Sequence, residues 1–555
     1  MTIFSRALRY FKTRKTLKYR LYKFLLKHSK AVSDSPIILI WEFGGFSDIL
    51  KKNAIISAAL NFRGYRTHFI VCDGVPEACI QRGYEHNEDP KQWDKKCPKC
   101  LFGMRSAASM YSVNYSTAGE FITEKVKKEL SALSENIDIS KIYDYKYLGV
   151  GVGILAWSSF VRYMKGYVIE AKDLKKEYEY VYRKYFYAGL VNTYIAERVI
   201  EQFKPHSVFC SHGVYVDYSP VILLAYLIKI KALCWSSGYK ILLHYFTVPK
   251  KPNKLELRGI TEEEWKKRGG TPLTEKENKI LDKYIYERFN KALKTDFLNV
   301  SAPESPESLK KKLGIENSNK IACIFCHVAW DLSFDLSTMI FDNANQWFDE
   351  TMKTIFEVKD VNWIVRVHPG EKASGSLYTL DSYIRDNYRD IPSHIKILWS
   401  DSEINSFGLY KLIDTGITLF GTTGAELPLF GKNIITAGEA YFAGKGFTYD
   451  AKNREEYYSL LRNTGKMGML NEHQIELARR YAYSFFIQRQ IPINVINKSH
   501  GHFGDLDPDK MTCLLPGNDI IIDEICSGII NGKDVIMNEE MVDMITDTEQ
   551  RNLPL

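Results

Sequence analysis

Two apolar strands in the second half of the chain end in residues suited to phosphate chemistry. The first strand stops at Arg366, His368 and Pro369, and the second stops at the turn 421–424, Gly-Thr-Thr-Gly. Ligands of open α/β sheets bind at the carboxyl ends of strands, and free amides at the start of a helix bind anions. The two strand ends therefore predict a pocket for a nucleotide-activated substrate.

Each residue type in this predicted pocket has a chemical use. The hydroxyls of Thr422 and Thr423 and the amide of Gly424 can donate to phosphate oxygens. His368 can do the same, and in its protonated form it offsets leaving-group charge. Glu426, one turn into the helix, suits a pair of ribose hydroxyls. With two further cations, the predicted donor-binding residues are Arg366, His368, Thr422, Thr423, Gly424, Glu426 and Lys432.

A base for the acceptor hydroxyl is expected in the first half of the chain. A buried strand ends just before His212, and Asp217 follows five residues later. Transfer of an activated group to a hydroxyl needs a carboxylate or a histidine near the attacking oxygen, so we predict Asp217 as the catalytic carboxylate, with His212 orienting or replacing it. The Gly44-Gly45 turn lets a phosphate or sugar approach the backbone, and Asp48 follows it. A solvated loop acid is the alternative for each carboxylate.

The spacing of these motifs resembles a known family. Arg-x-His-Pro at 366–369, followed by Gly-Thr-Thr-Gly-x-Glu-x-Pro at 421–428 and Gly-Lys at 431–432, resembles the C-terminal half of capsule and lipopolysaccharide biosynthesis glycosyltransferases. In that group the His-Pro pair and a Ser/Thr-rich turn hold the donor nucleotide. Three other segments fit the same group, 211–220, 327–331 and 441–446, and the likeness covers most of 35–490.

The resemblance implies an α/β protein of the GT-B fold, with two Rossmann-like doubly wound domains facing across a cleft. It implies glycosyl transfer from a nucleotide-sugar donor to a glycan or lipid-linked acceptor in surface polysaccharide synthesis. The donor stays open between a CMP-activated sugar of the Kdo or sialic-acid type and a UDP- or GDP-activated sugar. Stereochemical outcome and oligomeric state also stay open.

Other functions share part of the pattern. A teichoic-acid-type polyol-phosphate transferase uses a CDP donor and a similar Arg-x-His-Pro pair, but its second histidine and paired serines are not obvious here. A sugar-nucleotide 2-epimerase shares the two-domain architecture without this motif order. A non-catalytic carbohydrate-binding scaffold is the alternative outside enzymes, and intact His368, Glu426 and Asp217 argue against it.

The length and the strand pattern predict more than one domain. A chain of 555 residues exceeds a single ordinary core. Strand, glycine turn, helix and strand follow one another from Ser35, and a second β/α series begins near Lys320, which indicates two parallel sheets. The predicted boundaries are a basic amphipathic tail at 1–32, an acceptor domain at 33–245, a linker with crossing helices at 246–310, a donor domain at 311–490 and a C-terminal extension at 491–555.

The net charge of +8 arises in the first 30 residues, which carry ten Lys or Arg and no acid. The remainder is close to neutral, which argues against a nucleic-acid partner. Apolar residues at helical spacing between these cations are typical of a helix lying on an anionic membrane surface. A flexible basic arm is the alternative.

No run of about 20 apolar residues and no signal-peptide core is present in the sequence. We therefore predict a cytoplasmic protein, held through its tail at the inner face of the plasma membrane.

Four of the ten cysteines form a cluster in sequence: Cys72, Cys79, Cys97 and Cys100. A C-x2-C end allows a structural zinc site, and reduced, buried thiols are the alternative. No cofactor is expected for catalysis, because the one Asp-rich loop, 505–509, lies outside both predicted sheets.

Overall fold

The structure is a computed structural model of the chain. It describes residues 3–84, 89–166, 174, 176–239, 242–250, 259–290, 293–294, 299–300, 302–328, 330–331, 339–373, 375–376, 378–497 and 505–552. For 3–15, 177, 293–294, 299–300 and 547–552 it describes the backbone alone.

The strands, in chain order, are β1 (Ile37–Glu42), β2 (Arg66–Val71), β3 (Tyr115–Thr117), β4 (Ser207–Ser211), β5 (Lys231–Ser237), β6 (Leu243–Thr247), β7 (Leu293–Lys294), β8 (Asn299–Val300), β9 (Lys320–Phe325), β10 (Val361–Arg366), β11 (Ile395–Leu398), β12 (Thr415–Thr418), β13 (Asn433–Thr436), β14 (Tyr449–Asp450), β15 (Ile491–Pro492), β16 (Ile496–Asn497) and β17 (Asp505–Leu506).

The first ten helices are α1 (Ile3–His28), α2 (Ser47–Phe62), α3 (Cys97–Tyr111), α4 (Glu124–Asn136), α5 (Ile139–Ile142), α6 (Val152–Met164), α7 (Lys176–Phe203), α8 (Tyr215–Leu227), α9 (Glu262–Gly269) and α10 (Glu275–Asn290). The next ten are α11 (Pro306–Leu313), α12 (Ala344–Glu357), α13 (Gly370–Ala373), α14 (Leu380–Asn387), α15 (Ser406–Leu412), α16 (Thr423–Glu426), α17 (Arg454–Arg462), α18 (Glu472–Tyr483), α19 (Ile520–Asn531) and α20 (Glu539–Asn552).

The chain divides into two compact units. Unit 1 contains residues 1–163, 169–257 and 488–555, and unit 2 contains 164–168 and 258–487. The segment 491–555, expected as a separate extension, thus belongs to unit 1, and the segment 246–310, expected as a linker, is shared between the units.

Unit 1 is built on a seven-stranded sheet in the order β15-β6-β5-β4-β1-β2-β3. Strands β1 to β5 run parallel, while β6 and β15 are antiparallel to their neighbours. The central strands β1 and β4 are buried along almost their whole length, which explains why β1 is apolar up to Trp41 and why the polar residues of β4 are small serines at its two ends. From β1 the chain first builds toward β3 and then restarts at β4 on the other side of β1.

Unit 2 has a six-stranded, fully parallel sheet in the order β11-β10-β9-β12-β13-β14. Its core places Trp347 of α12 and Trp363 of β10 in one apolar cluster with Tyr457 of α17. The Trp347 indole donates to the Tyr457 hydroxyl at 2.8 Å, which satisfies a polar group inside this core.

Both sheets follow the doubly wound Rossmann order, in which the chain reverses direction beside the first strand. The predicted fold class, α/β with two Rossmann-like doubly wound sheets, is confirmed. Two such units in one chain are the architecture of the GT-B class.

The N-terminal helix α1 is not a detached tail. Leu17 and Leu21 are buried, Lys18 Nζ donates to Ser109 Oγ at 2.8 Å, and the Phe24 ring packs edge-on against Phe62. The last part of α1 is therefore integrated in unit 1. The apolar residues Phe4, Leu8 and Phe11, used to predict a membrane helix, have side chains outside the described residues.

Within the described residues, no helix is both long enough and apolar enough to cross a bilayer.

Candidate functional site

In unit 2, the reversal of strand order lies between β9 and β12, which are hydrogen-bonded neighbours. β10 flanks β9 on the other side. Three loops thus leave the same edge of the sheet: His327 follows β9, His368 follows β10, and the turn 419–424 follows β12. Ligands of doubly wound sheets bind at this edge. The structure brings His368 to the same edge as Thr422 and Thr423, although 54 residues separate His368 from Thr422 in sequence.

The His368 ring is exposed, and its Nδ1 accepts a hydrogen bond from the Gly370 amide at 3.0 Å. Surrounding protein atoms, then the charges of His327 and Arg366, lower the pKa of His368 below its usual value. The imidazole is therefore neutral near pH 7, with its proton on Nε2. Without a ligand, His368 offers a single N–H donor rather than the positive charge that we expected.

The turn after β12 places Thr422 at a partly exposed position and Thr423 at the start of α16. Among the described residues, the amides of Thr422 and Thr423 have no hydrogen-bond acceptor; Thr422 is partly exposed, while Thr423 is buried. The helix α16 is only four residues long, so its dipole is weak and the individual donors matter more.

The Gly424 amide does not serve a ligand, because it donates to the Gly421 carbonyl at 3.0 Å. A Cβ atom at Gly424 would collide with the buried ring of Phe442. The predicted phosphate-binding role of Gly424 is thus corrected to a packing role, in which the absence of a side chain admits an aromatic ring.

Glu426 was expected to face a ribose, and the structure gives its carboxylate other partners. It is 1% exposed, and its Oε1 accepts from Arg288 Nε and Nη2 at 2.9 and 2.6 Å. Its Oε2 accepts from the Tyr410 hydroxyl at 2.6 Å, and that hydroxyl lies 3.0 Å from Thr423 Oγ1. Glu426 therefore holds Tyr410, which in turn positions Thr423.

Arg366 is also occupied by the protein. Its guanidinium is buried and donates to the Trp399 and Ile404 carbonyls at 2.8 and 3.4 Å and to Ser406 Oγ at 3.3 Å. We expected a phosphate-binding cation, and the structure shows a side chain that shapes the loop after β11.

Lys432 lies at the other edge of the sheet. It immediately precedes Asn433, the first residue of β13, and β13 runs parallel to β12. The carboxyl end of a four-residue strand is about 13 Å from its start, too far for a lysine at the start to reach a ligand there. The predicted donor-binding role of Lys432 is therefore wrong, and its charged neighbours are Asp414 and Lys320.

In unit 1, the corresponding reversal lies between β1 and β4. The turn after β1 has Gly44 and Gly45 at φ of 80° and 70°, and the turn after β4 has His212 at φ of 57°. A Cβ atom at Gly44 would collide with the Tyr218 hydroxyl, and one at Gly45 with the Cys100 sulfur. The glycines thus permit both a left-handed turn and close packing. Tyr218 and Cys100 occupy the space beside them in which a ligand was expected.

Asp217 lies in the first turn of α8, at the same edge, and is 1% exposed. Its Oδ2 accepts from the Ile80 amide at 2.9 Å, while its Oδ1 has no partner among the described residues. Burial raises the pKa of Asp217 to about 7, partly opposed by the Ile80 hydrogen bond. Asp217 is therefore a carboxyl that can accept and release a proton near neutral pH.

The predicted partners of Asp217 are arranged differently from our expectation. Ile80, rather than His212, orients the carboxylate, and the His212 ring stacks on Tyr218 with centroids 5.2 Å apart. Asp48, in the first turn of α2, forms an ion pair with Lys51 at 2.6 Å and is half exposed. Asp48 thus fits the alternative of a solvated acid.

A buried polar group beneath the β1 turn was not predicted from the sequence. Glu42, the last residue of β1, accepts from Asn53, whose Oδ1 accepts from the Trp235 indole at 2.7 Å. Burial raises the pKa of Glu42 to about 8. Lys52 Nζ lies 2.6 Å from His244 Nε2, and burial lowers the pKa of Lys52 to about 7. The sequence does carry a signal for this group: Glu42 lies in β1, and Lys52 and Asn53 lie in α2, and both elements are otherwise largely apolar.

The four clustered cysteines are not arranged around a metal. In the part of the chain that the structure describes, no three His, Cys, Asp or Glu side chains are grouped to hold an ion. Instead, Cys72 and Cys79 sulfurs accept from nearby amides, Cys97 accepts from Arg82, and Cys100 donates to a carbonyl. The zinc alternative has no assembled ligand set among the described residues.

No protein-family model and no curated protein matches this chain in sequence. Among solved structures, it is similar to KpsC, a beta Kdo 2,4 transferase of Thermosulfurimonas dismutans, with 13% identity, 50% of this chain and 79% of that chain covered, and a TM-score of 0.31.

It is also similar to the spinosyn rhamnosyltransferase SpnG, with 11% identity, 80% of this chain and 96% of that chain covered, and a TM-score of 0.25. A third similar structure is that of the glycosyltransferase SnogD from Streptomyces nogalater, with 11% identity, 81% of this chain and 96% of that chain covered, and a TM-score of 0.25. Similarity at this level concerns the class of fold alone, so roles and substrates are argued below from the residues.

Proposed function

We propose that this protein is a glycosyltransferase that moves a sugar from a nucleotide-activated donor to a glycan or lipid-linked acceptor. Unit 2 binds the donor, and unit 1 carries the carboxyl that accepts the proton of the acceptor hydroxyl. The observation that carries the proposal is the group of open hydrogen-bond donors at one edge of unit 2.

That group combines His368 Nε2–H with the amides of Thr422 and Thr423. The strands that lead to them, β10 and β12, flank β9, so the loops are separated by two strand spacings, about 10 Å. A phosphate or diphosphate bound over the end of β9 contacts both sides. Neutral donors suit this task, because they stabilise the negative charge that develops on the leaving phosphate and need not first break an ion pair within the protein.

Asp217 supplies the second requirement of glycosyl transfer. A base works best when its pKa is near the operating pH, and burial places the pKa of Asp217 at about 7. Its unpartnered Oδ1 is the atom we assign to proton removal from the acceptor.

Helix α1 supports a role at a membrane surface, as in the synthesis of capsule or lipopolysaccharide. Tyr19, Tyr22 and Leu26 share one face at helical spacing and are exposed, with Lys23 and Lys27 interspersed. Aromatic and aliphatic side chains beside lysines suit the interface of an anionic bilayer, where a lipid-linked acceptor would be met.

A panel of nucleotides tests the donor assignment directly. Thermal unfolding of the wild type and of His368→Ala is measured with CMP, CDP, UDP and GDP at matched concentrations. We expect one nucleotide to raise the wild-type midpoint and to act much less on the variant. A response confined to CDP would favour the polyol-phosphate transferase, and no response to any nucleotide would reject donor binding.

A further inference from the structure

Two of the four clustered cysteines, Cys97 and Cys100, have no part in the proposed transfer reaction. They occupy the first turn of α3, a helix of 15 residues that begins Cys-Pro-Lys-Cys. Residues three apart in a helix share a face, with Cβ atoms about 5–6 Å apart, whereas a disulfide holds its Cβ atoms about 3.5–4.5 Å apart. A disulfide between the two therefore requires the first turn of α3 to tighten.

The Cys97 sulfur accepts a hydrogen bond from Arg82 Nη2 at 3.0 Å. Arg82 is itself buried and is held by the carbonyls of Pro76 and Gly74. Reactive cysteines occupy electropositive and partly exposed positions, and both Cys97 and Cys100 are partly exposed. A small oxidant therefore has access to a thiol with a fixed cation beside it.

The Cys100 thiol donates to the Gly45 carbonyl at 3.5 Å. The packing is close, because even a Cβ atom at Gly45 would collide with the Cys100 sulfur. The Gly44-Gly45 turn after β1 thus includes a hydrogen bond from the Cys100 thiol, and oxidation of Cys100 removes the proton of that bond.

The other cysteines provide a contrast. Burial raises the pKa of Cys72 well above its usual range and that of Cys79 to about 12, which keeps both thiols protonated and unreactive. Burial also raises the pKa of Cys100, so we assign the first attack to Cys97, which lies beside Arg82. Five more are buried within unit 1 or unit 2: Cys210, Cys234, Cys323, Cys326 and Cys526. Cys513 is partly exposed and serves as a matched control.

We propose that Cys97 and Cys100 form a reversible dithiol–disulfide site that reacts with low-molecular-weight disulfides such as glutathione disulfide. The Cys97 thiolate attacks one sulfur of glutathione disulfide and releases one glutathione thiolate. The Cys100 thiol then loses its proton, attacks the Cys97 sulfur and releases the second glutathione. The cysteine pair loses two electrons and two protons, and glutathione disulfide gains both as two glutathione thiols.

The consequence is local to unit 1. Once Cys100 is in the disulfide it has no S–H to donate, so the Gly45 carbonyl loses this partner and the turn loosens. This chemistry does not depend on the glycosyltransferase assignment.

Peptide mapping tests the site on the full chain. The reduced protein is incubated with glutathione disulfide, quenched with an alkylating reagent and digested with trypsin, which cuts after Lys99 and leaves two peptides joined by the bond. We expect a Cys97–Cys100 disulfide that dithiothreitol reverses, with Cys513 still alkylated. A stable glutathione adduct on either cysteine, a different pairing or full alkylation of both would overturn the proposal.

Hydrogen exchange tests the coupling to the turn. Exchange in peptides covering 42–48 should rise about 10-fold or more when the wild type is oxidised, because a tight hydrogen-bonded turn opens. The same treatment should leave Cys100→Ser unchanged, while Cys513→Ser should behave as the wild type. Equal exchange in the oxidised and reduced wild type would refute the coupling.

Discussion

The proposed contact with a phosphate depends on the orientation of one imidazole, that of His368. Since the Gly370 amide occupies Nδ1 of His368, the ring presents Nε2–H outward. A glutamine side chain can place an amide N–H near the position of Nε2, whereas alanine cannot.

We expect His368→Ala to weaken nucleotide binding by about 1.5–3 kcal/mol, the value of one hydrogen bond to a charged group. His368→Gln should recover part of that loss because it restores a donor. Calorimetric titration measures both, with the circular dichroism spectrum as the control for folding. Equal affinity of the wild type and the alanine variant would remove His368 from the donor site.

Asp217 offers a test through pH. A base acts only when deprotonated, so kcat/KM should rise with pH through about 7 and level off above it. Asp217→Asn preserves the shape but removes the proton acceptor, so turnover should fall by roughly 100-fold or more while nucleotide affinity barely changes.

Asp48→Asn is the matched control for that experiment. Its carboxylate is half exposed and paired with Lys51, so we expect near wild-type turnover and an unchanged pH profile. A profile that is flat between pH 6 and 8 in the wild type would contradict the assignment of Asp217.

At the scale of elements, the turn after β12 needs a glycine at position 424 for packing against Phe442. We expect Gly424→Ala to destabilise the protein by about 1–3 kcal/mol, because its methyl group meets the Phe442 ring in a filled core. Phe442→Leu should make room for that methyl group, so the double variant should lose less than the sum of the two single losses. Denaturant unfolding measures all three variants, and simple additivity would show that Phe442 is not the obstacle.

Helix α1 has two parts that truncation can separate. A chain beginning at Thr16 keeps Leu17 and Leu21 in the core of unit 1, whereas a chain beginning at Ser33 loses both. We expect the longer truncation to lower the free energy of unfolding by about 3 kcal/mol or more, and the shorter to change it little. Equal unfolding midpoints for the two truncated chains would show that α1 contributes no packing energy.

At the scale of the whole molecule, the chain leaves unit 1 and returns to complete it. Strand β15 pairs with β6, and Asp534 binds Lys250 and Arg489 at 3.0 Å each while accepting from the Val248 amide at 2.7 Å. Helix α19 packs beside β4, β5 and α2. The first 257 residues therefore lack part of their own core until the last 68 are present.

We expect a chain that ends after Gln490 to lose hydrogen-exchange protection throughout unit 1 while unit 2 stays protected, since the pairings named above all join residues of unit 1. Mass spectrometry of the exchanged peptides gives both readouts in one experiment, and the full chain is the reference. Protection of β1 and β4 in the shortened chain would contradict this account.

The sequence by itself determined the class of fold and indicated where a candidate site should lie. Apolar strands interrupted by helices, with polar residues after 210, 366 and 420, indicated parallel sheets and placed His368, Thr422, Thr423 and Asp217 at strand ends. These predictions depend on local periodicity and on the geometry shared by all parallel sheets.

Only the tertiary structure decided what each polar residue does. Glu426 and Arg366 have the right chemistry for a ligand, but Arg288, Tyr410 and the loop after β11 satisfy them first. Arg288 lies 138 positions from Glu426 in sequence, and the other partners belong to other elements, so these hydrogen bonds leave no local pattern. Lys432 follows a site motif in sequence, yet it immediately precedes β13, so the direction of that strand puts it at the opposite edge of the sheet.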